Sequence, residues 1–357
     1  MKILREYLLK KINILSSISQ SKNPILSFLK WDNDYLMFAN GDVAIKTDIK
    51  ADEEFRVLIP CLPFKNILNK MNCIDVDLKI ENNNLIVKGG RSRYKLILGS
   101  FKDYPDIYID SYENNVKIDS KELKAIIDKV AISCATSNKK PVLTGVHFNH
   151  DMCEATDSFR YAKLKLENDL GVDFILPESS LLLLNKIMGD AKEVNINYEE
   201  NNVIFEFNDV KVKSNLLCGK YPDTSRLIPM PQYYVEINRN NLLEAIDRIS
   251  IFAGTQELNE QTFRIIGLNF AKNNLELISS NNGIGKATDE CECENIDFLD
   301  KIHCNLLHLS DALKTFNEDK IKICIYDANR PFYIQDSKMD LIQLILPIKY
   351  EDDWYCL

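Results

Sequence analysis

The chain has 357 residues, 45% hydrophobic and 27% charged, with a formal net charge of −9; this length predicts two or three domains, each with its own core. No uncharged run approaches the roughly 18 residues of a membrane-spanning helix, and Arg5, Glu6, Lys10 and Lys11 interrupt any signal-peptide core at the N-terminus. A cytoplasmic protein with no membrane partner is expected, and an acidic chain does not grip phosphates over its whole surface.

The first 19 residues, "MKILREYLLKKINILSSIS", read as an amphipathic helix with apolar residues three or four apart. Alternating strands with Asn/Gly/Asp turns follow, as in "LMFANGDVAIKT", and a second helix, "PFKNILNKM", comes after Pro60. An Asn-rich hairpin signal, "ENNNLIVKGG", closes the first third. The same order returns with "VKIDSKELKAIIDKVAISC" from Val116, "VHFNHDMCEATD", "SSLLLLNKIM" after Pro177 and "EENNVIFEF". It returns again with "VEINRNNLLEAIDRISIFA" from Val235, "LNFAKNNLELIS" and "LSDALKTF" around Ser310.

An offset of 119 residues aligns Ile118 with Ile237, Leu123 with Leu242, Ile127 with Ile246 and Asp128 with Asp247. A weaker copy at an offset of 115 pairs Ile3, Leu8, Ile12 and Leu15 with Ile118, Leu123, Ile127 and Val130. The expected fold class is therefore α+β, three tandem copies of a strand-rich two-helix domain at 1–112, 113–231 and 232–357. Solenoid repeats have shorter periods, about 20 to 50 residues. Net charge runs +3, −3 and −9 over these thirds. A basic head and an acidic tail suit head-to-tail contact between copies, which closes into a ring when the rotation allows.

Ten cysteines without a CxxC fit a reducing compartment, and the pair Cys291 and Cys293 in "TDECECENID" reads as part of a strand. No metal site and no cofactor are expected. The segment "EATDSFRYAKLK" poses a choice: Asp157 and Ser158 as catalytic groups, or Phe159, Arg160 and Tyr161 as the wall of a groove. A hydrolytic reading would recruit His150, but there is no GxSxG elbow, and "GIGKA" at Gly283 lacks the earlier glycine and the Ser/Thr of a phosphate loop. His147 and His150 lie three apart across a hairpin, where their rings need not converge.

The stretches "GGRSRYKL", "DYPDI", "KKPVLTGVHF", "EATDSFRYA", "GKYPDTSRLIP" and "LPIK", in this order, resemble the bacterial DNA polymerase III beta subunit, the sliding clamp family. The resemblance implies a DNA clamp fold and a homodimeric ring, with helices lining the hole and sheets outside. Such a ring encircles double-stranded DNA without sequence specificity and tethers DNA polymerase. It also implies a protein with no catalytic activity of its own. The alternative is a phage, plasmid or regulatory clamp paralogue acting outside the main replicase.

By the same resemblance, DNA polymerase, clamp loader and repair proteins insert short peptide motifs into a groove. Its wall would be Leu143, Thr156, Phe159, Arg160, Tyr161, Pro222, Arg226 and Leu227, with Asn305 and His308 from the third domain's second helix. Leu344, Ile345, Leu346, Pro347, Ile348 and Lys349 would form its C-terminal side. An apolar floor, rigid prolines and two arginine rims are what an extended peptide needs. The family usually has Gly-His where Ser158-Phe159 stands and Arg where Lys349 stands, and it ends near Tyr350, whereas this chain continues as "EDDWYCL" (extension 350–357). Trp354, Tyr355 and Leu357 of that tail are apolar anchors of the kind such a groove accepts.

The resemblance also supplies an interface: Arg91, Arg93, Tyr94 and Leu96 on an edge strand against Ile251, Phe252, Asp289, Glu290, Glu292 and Glu294 of a second copy. In a ring only the hole must be basic. Helix cations opposite the apolar stripes, Lys10, Lys11, Lys65, Lys124, Lys129, Lys186, Arg248 and Lys314, would face DNA with the loop cations Lys22, Lys139 and Lys140.

Overall fold

Leu8, Ile12 and Leu15 recur along one side of the first helix and are fully buried there, and Leu242, Ala245, Ile246 and Ile249 do the same in the fifth. Such a stripe packs a helix against a sheet, and every repeat is built on this pairing. The computed structural model describes the chain except residues 51, 52, 108, 111, 138, 259, 260, 272, 282, 295–297, 299 and 350–357 and the side chains of 256–258 and 261. The tail "EDDWYCL" therefore lies outside the described residues.

The first repeat runs β1 (Lys2–Leu4), α1 (Arg5–Leu15), β2 (Phe28–Asp32), β3 (Tyr35–Ala39), β4 (Val43–Asp48), β5 (Arg56–Pro60), α2 (Cys61–Lys70), β6 (Asp75–Glu81), β7 (Asn84–Gly89) and β8 (Ser92–Ile97). The second keeps that order: β9 (Asn114–Asp119), α3 (Ser120–Lys129), β10 (Gly145–Asn149), β11 (Met152–Thr156), β12 (Arg160–Lys165), β13 (Asp173–Pro177), α4 (Glu178–Ile187), β14 (Glu193–Tyr198), β15 (Asn202–Phe207) and β16 (Val210–Asn215). The third adds one strand, β18, near its start: β17 (Tyr233–Asn238), α5 (Arg239–Ile249), β18 (Thr255–Leu258), β19 (Gln261–Ala271), β20 (Asn274–Asn281), β21 (Gly285–Glu294), β22 (Lys301–Asn305), α6 (Leu306–Lys314), β23 (Lys320–Ile325), β24 (Phe332–Gln335) and β25 (Leu341–Ile345). Two helices per repeat, as the sequence pattern requires, give six among the described residues.

The sheets do not respect the repeats. One compact unit, Met1–Lys124 with Leu176–Cys218, holds a four-stranded sheet β1-β6-β7-β8 and an eight-stranded sheet β5-β2-β3-β4-β16-β15-β14-β9. Its larger sheet is half first repeat and half second, joined where β4 meets β16 antiparallel from Val210↔Thr47 to Ser214↔Val43. The other unit, Ala125–Ile175 with the chain from Gly219, is built on the sheet β13-β10-β11-β12-β25-β24-β23-β17-β21-β20-β19-β18, with β22 against β19. There the second and third repeats join through β12 and β25, from Arg160↔Ile345 to Leu164↔Leu341.

One expected outward cation is not outward. Lys11 lies on the buried side of α1 beside Leu8 and Ile12, its ammonium donating to Thr47 Oγ1 at 3.0 Å and paired with Asp209. A buried charge persists only when paired, and this one is spent on the fold.

Candidate functional site

The turn between β11 and β12 is fixed by its own side chains. Asp157 Oδ1 accepts from the backbone N–H of Phe159 at 2.8 Å and of Arg160 at 2.9 Å, while Thr156 Oγ1 accepts from Ser158 N–H at 3.1 Å. Ser158 sits at φ +79°, a left-handed conformation that L-residues adopt at a cost. The Asp157 and Ser158 of the hydrolytic reading are thus turn-forming groups. His150 faces Asp169 at 3.7 Å instead.

Arg160 is not an open rim. Its guanidinium donates to Asp157 Oδ2 at 3.0 Å and to Asp311 Oδ2, on α6, at 3.1 Å, which ties the turn to that helix. Beside it, burial first and the Arg160 charge second push the His308 imidazole down to about 4. His308 is therefore neutral near pH 7, and its 4.0 Å approach to Asp157 is not an ion pair. The Phe159 ring packs edge-on against Phe263, with centroids 4.8 Å apart, and Phe263 in turn meets His308. Asn305 is buried as the N-cap of α6, its Oδ1 accepting from Leu307 N–H at 3.2 Å and Arg264 N–H at 3.3 Å. It supports the site from behind rather than lining it.

The C-terminal side follows from the β12·β25 ladder. Leu344 and Ile345 are buried, and Leu344 shares a core with Tyr161, Cys324 and Tyr333. Leu346, half-buried on that core, donates its N–H to Phe159 O at 2.9 Å, and Ile348 donates to His303 O at 2.7 Å. Pro347 is half-buried and Lys349 exposed. Leu143 is buried in the 3-10 turn Pro141–Thr144. On the opposite loop Pro222, Arg226 and Leu227 are exposed, and Ile228 packs half-buried on the Tyr161–Leu344 core. Leu346 and Ile228 thus pack on one apolar core, and Phe159 is tied to Leu346 through its carbonyl.

Glu154, which the sequence reading did not select, holds that loop. It is 2% exposed and accepts from Tyr161 OH at 2.8 Å, Thr224 Oγ1 at 2.6 Å and His147 Nδ1 at 2.8 Å. The far nitrogen of His147 meets Asp173 Oδ1 at 3.0 Å, and Tyr221 stacks on the ring at 4.6 Å. Burial alone would lower His147, but hydrogen bonds to two carboxylates leave it above its ordinary value of 6.5. Burial would likewise raise Glu154, yet its three donors hold it below 4.5. The residue pattern gave one usable signal, a Glu inside the apolar strand "MCEAT".

Among the other candidates, α1, α2 and α4 line a cleft of about 700 Å³ that gathers Lys10, Lys65 and Lys186 with Arg5 and Glu6. Lys65 also donates to Ser16 Oγ at 2.8 Å. Lys22, Lys124, Lys139, Lys140 and Lys314 are exposed and Lys129 is half-buried. Arg248, expected to face DNA, donates to Asp289 of β21, expected at the interface, through two nitrogens at 2.6 and 3.2 Å, while its side chain stays exposed. Glu294 is likewise paired, with Lys320 at 3.1 Å.

Glu290 and Glu292 point outward from β21 while Cys291 and Cys293 point inward, their thiols pushed up to about 11 by burial. On β8, the free edge of its sheet, Arg93 is exposed and 3.6 Å from Glu81, with Arg91 exposed just before it. Tyr94 and Leu96 are half-buried, and Ile97, absent from the expected set, is 74% exposed. Ile251 is 68% exposed beside a half-buried Phe252.

A β-α-β₄-α-β₃ order repeated three times, with the added β18 in the third repeat and sheets shared between successive repeats, defines the sliding clamps, processivity factors that are not themselves catalysts. Residues 1–108, 117–223 and 225–349 match the N-terminal, central and C-terminal domains of the DNA polymerase III beta subunit. The beta sliding clamp of Staphylococcus epidermidis is 31% identical over 376 aligned positions covering 97% of this chain and 98% of that protein. The crystal structure of the Bacillus subtilis DNA polymerase sliding clamp matches with a TM-score of 0.87 at 26% identity, covering 98% of this chain and 99% of that one. That of the Streptococcus pneumoniae DNA polymerase III beta chain matches with a TM-score of 0.89 at 27% identity over the same shares. The chain belongs to the DNA polymerase III beta subunit family, the bacterial beta sliding clamps. Among the described residues no helix is long and apolar enough to cross a membrane.

Proposed function

We propose that the chain works in the cytoplasm as a head-to-tail homodimeric ring that encircles duplex DNA and holds replication partners on it. Its three repeats, 1–112, 113–231 and 232–357, would be the three domains of each half-ring. One observation carries this reading. By position in the repeat, β4, β12 and β21 are equivalent, and so are β16, β25 and β8. The pairs β4·β16 and β12·β25 are closed within the chain, whereas, among the described residues, β8 is a sheet edge and β21 meets β17 only at Glu294 and Cys293. A second copy completes the third junction by laying its β8 along β21, bringing Arg91 and Arg93 toward Glu290 and Glu292, and Ile97 toward Ile251.

The cations gathered by α1, α2 and α4 would face the DNA, positioned without base contacts. DNA polymerase, clamp loader and repair proteins would dock short peptides on the margin formed by Phe159, Leu227, Ile228, Leu346, Pro347 and Ile348. Arg226 and Lys349 are its outward cations, while Arg160, Tyr161 and Asn305 hold it from behind. Light scattering should return twice the 41.1 kDa chain mass, and Arg91→Glu with Arg93→Glu should shift the protein toward monomer. A wild-type monomer at micromolar concentration, or an unaltered dimer in the double variant, would contradict the assignment.

A further inference from the structure

The first inter-repeat junction reproduces the groove's backbone with different side chains. At an offset of 117 residues, "KNPILS" from Lys22 matches "KKPVLT" from Lys139, and "DYPDI" from Asp103 matches "KYPDT" from Lys220. Both first segments form 3-10 turns, Pro24–Ser27 and Pro141–Thr144. Asn40 Oδ1 accepts from Asp42 N–H at 3.1 Å and Val43 N–H at 2.9 Å, as Asp157 does one repeat later. Gly41 at φ +107° takes the place of Ser158, and Asn215 N–H donates to Asp42 O at 2.9 Å as Leu346 does to Phe159.

Where Thr156 and Tyr161 stand in the groove, this junction has the methyl groups of Ala39 and Ala44, and a cavity of about 490 Å³ opens over them and Leu26. That volume suits one or two apolar side chains. Ile107 forms a half-buried side wall. The rim is acidic: the exposed carboxylates Asp42 and Asp106 face the single ammonium of Lys213. The groove's mouth has an exposed acid too, Asp223 at the counterpart of Asp106, but it adds the cations Arg226 and Lys349, so its balance is basic where the cavity's is acidic.

We propose that this cavity is a second peptide-docking pocket, for an extended segment of a partner protein in which an apolar anchor is followed by Lys or Arg. The inference rests on the reading of the β12·β25 margin as a peptide groove and adds a site of opposite charge preference. At the rim Asn215 donates Nδ2 to Gly41 O at 3.3 Å and Asn23 accepts at Oδ1 from Ile25 N–H at 3.2 Å, so the peptide backbone would meet Asn215 Oδ1 and Asn23 Nδ2. An acidic rim disfavours phosphate, so nucleic acid is not the occupant.

The test titrates three synthetic hexapeptides into the full chain at moderate salt by calorimetry: Ala-Leu-Phe-Lys-Lys-Ala, Ala-Leu-Phe-Glu-Glu-Ala, and the anchorless Ala-Ala-Ala-Lys-Lys-Ala. The Lys peptide should bind wild type and Leu346→Asp alike, and Asp106→Lys should weaken it at least fivefold. Ala44→Leu, which fills the floor, should abolish its binding; Asp106→Lys, at an exposed position, decides the matter if the filled variant does not fold. Equal affinity of the Lys peptide for wild type and Asp106→Lys, equal binding of the anchorless peptide, or loss of the Lys peptide in Leu346→Asp would each overturn the pocket. Binding of the Glu peptide that is unmoved by Leu346→Asp would instead overturn the groove and leave the pocket standing.

Discussion

The β4·β16 and β12·β25 junctions share ladder, turn and loop, yet one rests on hydrocarbon and the other on a buried charge. Beneath the first, Met37, Ala44 and Tyr104 are buried in one apolar cluster with Leu26 and Ile204, and Ile107 packs against it. Beneath the second, the positions 117 residues on hold Glu154, Tyr161, Tyr221 and Thr224, and the ladder neighbour Lys30 of Met37 becomes His147 beside Glu154. Backbone hydrogen bonds set the shared geometry and are indifferent to this exchange. A buried carboxylate is tolerable only because three donors converge on it. The price of that arrangement is a dependence on pH and on every partner in the network.

The largest effect expected is from giving the second junction the first one's residue. Glu154→Met leaves His147, Tyr161 and Thr224 without their acceptor and should cost about 3 kcal/mol in urea unfolding, since breaking a buried pair typically costs this much. The reciprocal control, Met37→Leu, should cost below about 1.5 kcal/mol because volume and polarity are kept. Similar losses in the two variants would erase the contrast.

Next in size is binding. Leu346→Asp should weaken a polymerase-derived clamp-binding peptide at least about tenfold, or roughly 1.4 kcal/mol, in fluorescence anisotropy. Asn215→Asp, at the matching position of the first junction, should leave that affinity within about twofold.

The pH dependence is smaller because it removes charge and leaves shape. His147 is raised above 6.5, so its contribution is complete below that pH and lost as pH rises through the raised value. Glu154 is lowered below 4.5, so its contribution is complete above that pH and lost as pH falls through the lowered value. The stability difference between wild type and Glu154→Met should therefore be greatest between pH 4.5 and 6.5 and shrink on both sides. A flat difference curve would show that the pair carries no charge.

The smallest effect concerns the turns themselves. Ser158→Gly should stabilise by about 1 kcal/mol by relieving the left-handed backbone, and Gly41→Ala should destabilise by a similar amount. Equal and opposite shifts in urea midpoint would confirm that both turns share one conformation.

The threefold plan was legible because each repeat writes the same alternation of helix stripe and strand hairpin. The groove turn was legible as a motif, and so was the opposite charge of the terminal thirds. What escaped depends on contacts far apart in sequence. Lys11 sits within the Leu8–Ile12–Leu15 stripe, and its burial is stabilised by Asp209, remote in the chain. Arg160 looked like an open cation because Asp311 lies 151 residues away. Arg248 and Asp289, assigned to two different surfaces, bond to each other across α5 and β21. The motifs "DYPDI" and "KYPDT" were both visible, but aligning the first two repeats by their helices at an offset of 115 hid their correspondence at 117.

The central claim, a closed ring that holds DNA by enclosure, is tested most directly by loading the protein with its clamp loader onto a nicked circular duplex, then cutting the circle once. Retention on the circle at moderate salt and prompt loss on linearisation, restored when the new ends are blocked by bound protein, are the predicted results. Equal retention on circular and open-ended linear DNA would contradict enclosure.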